Sequence, residues 1–367
     1  MLGKVGENMK RIGVLTTGGD CSGLNAAIWH IMRGAHLRGW RVFGILDGTD
    51  GLVSSPVRFI ELNDDILPIE YTHIAGSFLR NGHAGALNFE TAAHTGSLVA
   101  FNKKLYSSIR ELKLDAVILI GGNGSLSLAW ANREIYRDVQ LVCIPKTIDM
   151  DIPLTDRTIG FDTAVEQLTK YCDQLMLTAR SHHRWFVVQS MGRDCGALAL
   201  NAGLAAGASA ILIPEIKFNT DALIKHIKNS PNDYGIIMVA EGITIRGHSR
   251  KAADMVSRAL TAARIPNRTA FPEHLQRSGD TTASDRLLAT AMADTALNAI
   301  ENNETYVMTA LQNGVVKTVS LADFANAGES VTDPNIPKVF TSNAYVSEND
   351  PLLEIAHDMG VYIGEVK

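Results

Sequence analysis

Two glycine-rich turns and one pair of carboxylates are the residues of this chain with the most chemistry in their spacing. The first turn, Thr17-Gly18-Gly19-Asp20-Cys21-Ser22-Gly23-Leu24-Asn25, follows the apolar run Ile12–Thr16 and leads into a helical pattern. The second, Gly121-Gly122-Asn123-Gly124-Ser125, follows Ala116–Ile120 in the same way. Glycine lets backbone amides approach a phosphate, and a helix start behind the turn adds favourable partial charge. Neither turn has the GxGxxG spacing of a dinucleotide site or the Lys-Ser/Thr of a Walker loop, so a nicotinamide-dependent oxidoreductase is disfavoured. The third apolar run, Leu141–Pro145, ends in Lys146-Thr147-Ile148-Asp149-Met150-Asp151. Two carboxylates two residues apart at a strand end suit a metal ligand and a general base.

Parallel strands with helical crossovers are the elements that bring such turns to one edge of a sheet. Candidate strands are Ile12–Thr16, Arg41–Leu46, Ala116–Ile120, Leu141–Pro145, Trp185–Gln189, Ala210–Pro214 and Ile236–Ala240. They are mostly unbroken and rich in Val and Ile, as strands covered on both faces are. Phe161, Ala164, Val165, Leu168, Cys172 and Leu175 recur at helical spacing and predict a long helix over 160–180. Ala-rich stretches near 252–264 and 286–300 predict two more. Tyr306–Leu311 and Val315–Leu321 flank Gln312-Asn313-Gly314, a hairpin signal. The alternation implies an α/β fold of two doubly wound parallel-sheet domains.

At 367 residues the chain has room for two such domains, with 46% apolar residues for their cores. A net charge of −5 argues against a general nucleic-acid binder. An anionic substrate would therefore be met by local Arg and Lys clusters. No run reaches the roughly 18 apolar residues of a membrane helix. The opening Met-Leu-Gly-Lys-Val-Gly-Glu lacks a signal-like apolar stretch, and the four cysteines (Cys21, Cys143, Cys172, Cys195) are dispersed without metal-ligand rhythm. A cytoplasmic chain with reduced thiols is expected.

In order and spacing, these segments resemble the phosphofructokinase family from about residue 10 to 300. The first turn is similar to its GGDxxGxN signature, Thr147-Ile148-Asp149-Met150-Asp151 to its TIDxD motif, and Thr158–Ala164 to its TIGFDTA helix start. Ser181-His182-His183-Arg184, Met191-Gly192-Arg193, Ala240-Glu241-Gly242, Arg268 and His274-Leu275-Gln276-Arg277 resemble its later sugar-phosphate segments. The resemblance implies phosphoryl transfer from ATP, with Mg²⁺, to the 1-hydroxyl of fructose 6-phosphate. Sedoheptulose 7-phosphate would fit the same clamp.

It further implies Asp149 as base, Thr147 placing the acceptor and Arg193 stabilising the transferred phosphoryl group. Asp151, Met191, Gly192 and Glu241 would hold the sugar, with Arg184, Arg268, His274 and Arg277 around its phosphate. Gly19, Arg80, Asn123, Gly124, Ser125 and Lys146 would meet the donor. Residues 1–160 with about 278–327 are expected to form the donor domain, and 161–277 with about 328–367 the sugar-phosphate domain, with the active site in the cleft between them. Arg184 and Arg268 would reach a neighbour's site, which implies a homodimer or homotetramer.

The departures lie at the donor end. Asn123 stands where the family usually has a carboxylate near Mg²⁺, so metal binding there would be weaker. Gly124 resembles ATP-using members and Lys146 pyrophosphate-using members; the pair favours ATP. His83 falls where the family has a donor-contacting arginine, with Arg80 three residues earlier. Trp29 replaces an effector-binding arginine. These changes leave two alternatives open: a pyrophosphate-dependent enzyme, or a weakly active sugar-phosphate-binding regulatory paralogue.

Overall fold

In the computed structural model, which describes residues 9–82, 97–243, 251–327, 329–330, 340–341 and 346–364, the apolar runs become strands that end at the polar turns. The strands in chain order are β1 (Arg11–Thr16), β2 (Arg41–Ile45), β3 (Phe59–Glu61), β4 (Ala116–Gly121), β5 (Gln140–Pro145), β6 (Trp185–Ser190), β7 (Ala210–Leu212), β8 (Gly235–Ala240), β9 (Asn267–Ala270), β10 (Val307–Gln312) and β11 (Val315–Ser320). A two-residue ladder joins β12 (Glu329–Ser330) to β13 (Phe340–Thr341). The chain divides into two compact units. One holds Met1–Thr147, Ile152–Gly160 and Asp280–Asn343, the other Ile148–Asp151, Phe161–Gly279 and Ala344–Lys367.

The first unit is built on a seven-stranded sheet of order β11-β10-β5-β4-β1-β2-β3. Its middle is parallel: Gly13 pairs with Val117, and Ile118 with Val142. Strand β4 is buried along its whole length, because helices cover both faces. The edges are antiparallel. The short β3 closes one side, and the β10–β11 hairpin closes the other through Asn313 (φ 53°) and Gly314 (φ 80°). Two successive residues at positive φ match the twist of an antiparallel pair, which is why Asn-Gly stands there. Val315 and Lys317 face solvent from β11, as an edge strand permits.

The second unit carries a four-stranded parallel sheet of order β7-β8-β6-β9. Helix Phe161–Ser181 buries Phe161, Ala164, Leu168, Cys172 and Ala179 along one stripe. Val187, Ile237, Val239, Leu212 and Trp185 form part of the sheet's own core with Val256 and Leu260 from helix Ala252–Ala262. The segment around Tyr362 adds one parallel bridge to Ala210 at the β7 edge. Among the described residues, no helix is long and apolar enough to cross a membrane.

Candidate active site

In the first unit, the carboxyl ends of β1, β4 and β5 bring the two glycine turns and Lys146 together. A Cβ on Gly121 would lie 2.8 Å from Thr17 Oγ1, so the second turn can pack against the first only as glycine. Lys146 is almost wholly buried, and its ammonium donates to the carbonyls of Thr17 (2.9 Å) and Gly19 (2.5 Å). Those carbonyl bonds compensate the desolvation of a buried cation. Helix Asn123–Ala131 begins directly after Gly122, where its first amides have no partner within the helix. Nothing lies within 4 Å of a Cβ placed on Gly124, so that position faces open space. Asn123 is buried and its Oδ1 accepts from Ser127 Oγ at 3.3 Å.

The segment carrying Arg80 lies against the same turn. Asn81 donates to the Gly18 carbonyl at 2.9 Å, and Thr16 Oγ1 to the Arg80 carbonyl at 3.1 Å. Arg80 itself is at φ 61° with its side chain 80% exposed, and Nη1 sits 4.0 Å from Asp47. His83 lies outside the described residues. Thr147 is fixed by a bond from its amide to Ile159 O (3.2 Å) and one from Thr158 Oγ1 to its own carbonyl (2.7 Å).

In the second unit, Asp149 is buried and Arg193 Nε lies 3.3 Å from its Oδ2. Met150, between the two aspartates, is at φ 54°, and Arg193 at φ 52°. Left-handed backbone costs a bulky side chain free energy and persists where its surroundings enforce it. Glu241 supplies part of that enforcement: its Oε1 accepts the Arg193 amide at 2.9 Å. Gly242 is required beside it, because a Cβ there would lie 2.2 Å from the Arg193 carbonyl. The Met191 amide donates to Gln276 Oε1 at 3.0 Å, tying the turn after β6 to the short helix Glu273–Arg277 that carries His274 and Arg277. Burial pushes the neighbouring Cys195 thiol up to about 12, with Glu215, Asp151 and Asp149 adding to the shift. Cys195 is therefore neither a thiolate nor a base near neutral pH.

Asp149, Met191, Gly192, Arg193, Glu241, His274 and Arg277 thus belong to the carboxyl ends of the second sheet's strands or to groups bonded there, the edge where open α/β sheets bind ligands. Asp151 is half-buried two residues beyond Asp149. Arg184 and Arg268 do not join them. Arg184 precedes β6, and Arg268 pairs in register with Phe186 at the start of that strand. A six-residue strand puts them about 20 Å from the Arg193 end. Arg184 and Arg268 thus stand at the other end of β6 from the turn that carries Arg193. Arg268 is exposed on an edge strand.

Residues of both kinds fall inside a sequence profile, described as Phosphofructokinase, that matches residues 11–300. The chain belongs to the phosphofructokinase family. A phosphofructokinase relative from Nostoc sp., ATP-dependent 6-phosphofructokinase 1, is 36% identical over 378 residues, spanning 97% of this chain and 99% of its own. The pyrophosphate–fructose 6-phosphate 1-phosphotransferase of Amycolatopsis mediterranei is 35% identical over 335 residues, 85% of this chain and 94% of its own. Among solved structures, Saccharomyces cerevisiae phosphofructokinase superposes with a TM-score of 0.75 at 27% identity over 87% of this chain; the chain spans 45% of that subunit's length. A pyrophosphate-dependent phosphofructokinase from Marinobacter aquaeolei shares the fold at a TM-score of 0.74 and 19% identity.

For a phosphofructokinase, Mg²⁺ would enter on the donor's phosphates. Mg²⁺ keeps most of its shell from phosphate and water, with one or two protein oxygens. Among the described residues, no group of three His, Cys, Asp or Glu converges as a metal cage. The neutral Asn123 Oδ1 fits a metal that arrives with its substrate better than a resident one. Gln276, to which the sequence gives no role inside its segment, and Thr281, which it does not single out, are site-supporting residues. Gln276 stands between the two basic residues of its short helix, and Thr281 Oγ1 accepts the Gly23 amide at the first turn (3.1 Å).

Proposed function

We propose that this chain is an ATP-dependent 6-phosphofructokinase, moving a phosphoryl group from ATP to the 1-hydroxyl of fructose 6-phosphate, a step of glycolysis in the cytoplasm. The observation that carries the reading is the Asp149–Arg193 pair, a buried carboxylate held 3.3 Å from a two-thirds-exposed guanidinium. Asp149 takes the proton of the attacking hydroxyl, and Arg193 meets the charge spreading over the transferred group. Thr147 places the acceptor. The first unit, with Gly19, Arg80, Asn123, Gly124, Ser125 and Lys146, holds ATP with its Mg²⁺. The second, with Asp151, Met191, Gly192, Glu241, His274 and Arg277, holds the sugar phosphate. The four buried free thiols accord with a reducing compartment.

Donor choice rests on Gly124 and Lys146. Open space at Gly124 leaves room for a nucleotide's α-phosphate, while Lys146 is spent on the carbonyls of the first turn. Coupled assays on wild type, Gly124→Asp and Lys146→Gly, each with ATP and with pyrophosphate, test this. Wild type should turn over with ATP. Gly124→Asp should lose about 100-fold in kcat/KM with ATP, through a carboxylate set against phosphate, and far less with pyrophosphate. Lys146→Gly removes the ammonium that holds the Thr17 and Gly19 carbonyls and should impair use of both donors alike; a loss confined to pyrophosphate would make Lys146 a donor contact instead. Sugar-phosphate binding without turnover by either donor would instead make the chain a regulator.

Arg184 and Arg268 act in trans, completing the phosphate grip of a partner subunit in a homodimer or homotetramer. Their place at the amino end of the second sheet, away from Arg193, supports this. Mixing Arg184→Ala subunits with Asp149→Ala subunits should restore activity, because some sites then receive both intact residues. Two inactive preparations that stay inactive after verified subunit exchange would refute the shared site.

A further inference from the structure

The turn that carries Arg193 owes its shape to side chains from outside it. Its backbone amides donate to Gln276 (from Met191, 3.0 Å), to Glu241 (from Arg193, 2.9 Å) and to Glu215 (from Gly196, 2.8 Å). Glu241 and Glu215 follow β8 and β7. Gln276 differs in two respects. It is 1% exposed, the one fully buried side chain of the Glu273–Arg277 helix, and its other end is also fixed, Nε2 donating to the Glu273 carbonyl at 3.0 Å. It also sits in the same helical turn as His274 and Arg277. A buried amide bonded at both ends transmits position, because moving either partner breaks a bond that no water can replace.

We propose that Gln276 is a positioning residue for phosphoryl transfer: it locks the Met191–Arg193 turn to the helix bearing His274 and Arg277, so that Arg193 is held over Asp149 in register with the sugar's phosphate grip. Gln276 touches no reacting atom. Its effect passes through the Met191 amide to Arg193, whose left-handed backbone does not hold itself. Part of the binding free energy of the remote phosphate is thereby spent on aligning the transition-state arginine, which acts on kcat rather than on affinity alone. This role rests on the kinase reading above.

A double-mutant cycle tests it, measuring kcat with ATP and fructose 6-phosphate for the full chain, Gln276→Met, Arg193→Ala and the double variant. Gln276→Met keeps the volume and removes both bonds. It should lower kcat about 10- to 100-fold, the cost of misplacing a catalytic group by roughly 1 Å. In the Arg193→Ala background the same change should cost less than about twofold, since nothing remains to position. KM for ATP should stay near wild type. Gln276→Glu retains the acceptor for the Met191 amide but sets a buried oxygen against the Glu273 carbonyl, so it should recover little of the lost kcat, as a lock that needs both ends requires. Should Gln276→Met fail to fold, Gln276→Asn, one methylene shorter, takes its place in the cycle. Losses that multiply across the cycle would reduce Gln276 to a packing residue and overturn the proposal while leaving the kinase reading intact. A wild-type chain without turnover would sink both.

Discussion

Asp149→Asn should lower kcat by about 10²- to 10⁴-fold while the KM for sugar phosphate moves only a few fold. The amide keeps the shape of the carboxylate and removes its ability to accept a proton, so the substitution isolates the base function from packing. The neighbouring Cys195 thiol is held protonated by burial and does not take over as base. Folding should change little: Arg193 is two-thirds exposed, and an ion pair with one solvated partner contributes modestly. A melting temperature within about 4 °C of wild type is the expected control. Near-normal turnover in the Asn variant, measured by a coupled assay with saturating ATP, would remove Asp149 as the base and with it the reading of the site.

The parts of the molecule legible from sequence are those whose signals are local. The fully buried β4 writes itself as Ala-Val-Ile-Leu-Ile, and the hairpin as Asn-Gly between two runs. The stripe from Phe161 to Cys172 reads directly as a helix because the helix buries a single face. Edge elements are not written that way. Strand β9, Asn-Arg-Thr-Ala, buries only Asn267 and Ala270, and the three residues of β3 bury none fully; neither offers an apolar run. Both are strands because a neighbour presents unpaired backbone groups, a cause that lies elsewhere in the chain.

The same division holds at the site. Glycine turns after strands, and an Asp-x-Asp at a strand end, are local statements about backbone shape and charge. The bond from the Arg193 amide to Glu241 spans 48 residues, and that from Met191 to Gln276 spans 85. The family resemblance assigns Glu241 to the sugar, whereas one of its oxygens is committed to shaping the arginine turn. Lys146 reads from sequence as a cation facing the donor; the fold has already given its ammonium two carbonyl partners. Position in three dimensions decides how much of a side chain is left for a ligand.

Arg193→Ala should lower kcat about 10³-fold or more, the range found where an arginine supports a transferring phosphoryl group. Arg193→Lys should recover only part of that loss. Lysine keeps the charge and tolerates the same backbone angle at φ 52°, so the two variants share any backbone cost and differ in the fork of donors. A planar guanidinium can contact two equatorial oxygens at once, and an ammonium acts as a single point charge. If Arg193 acts on the transition state, kcat and kcat/KM for fructose 6-phosphate should fall together in both variants. An effect confined to KM would mean that Arg193 grips the sugar in the ground state. Asp149 would then act as base without Arg193 to meet the charge that develops on the transferred group. Two observations favour the transition-state role. The residue sits on a backbone turn pinned from two other elements, and its guanidinium, anchored by Nε on Asp149, keeps most of its surface open. A ground-state clamp needs neither feature. A group that must meet charge only as it develops needs both, because its position has to be fixed before the charge appears.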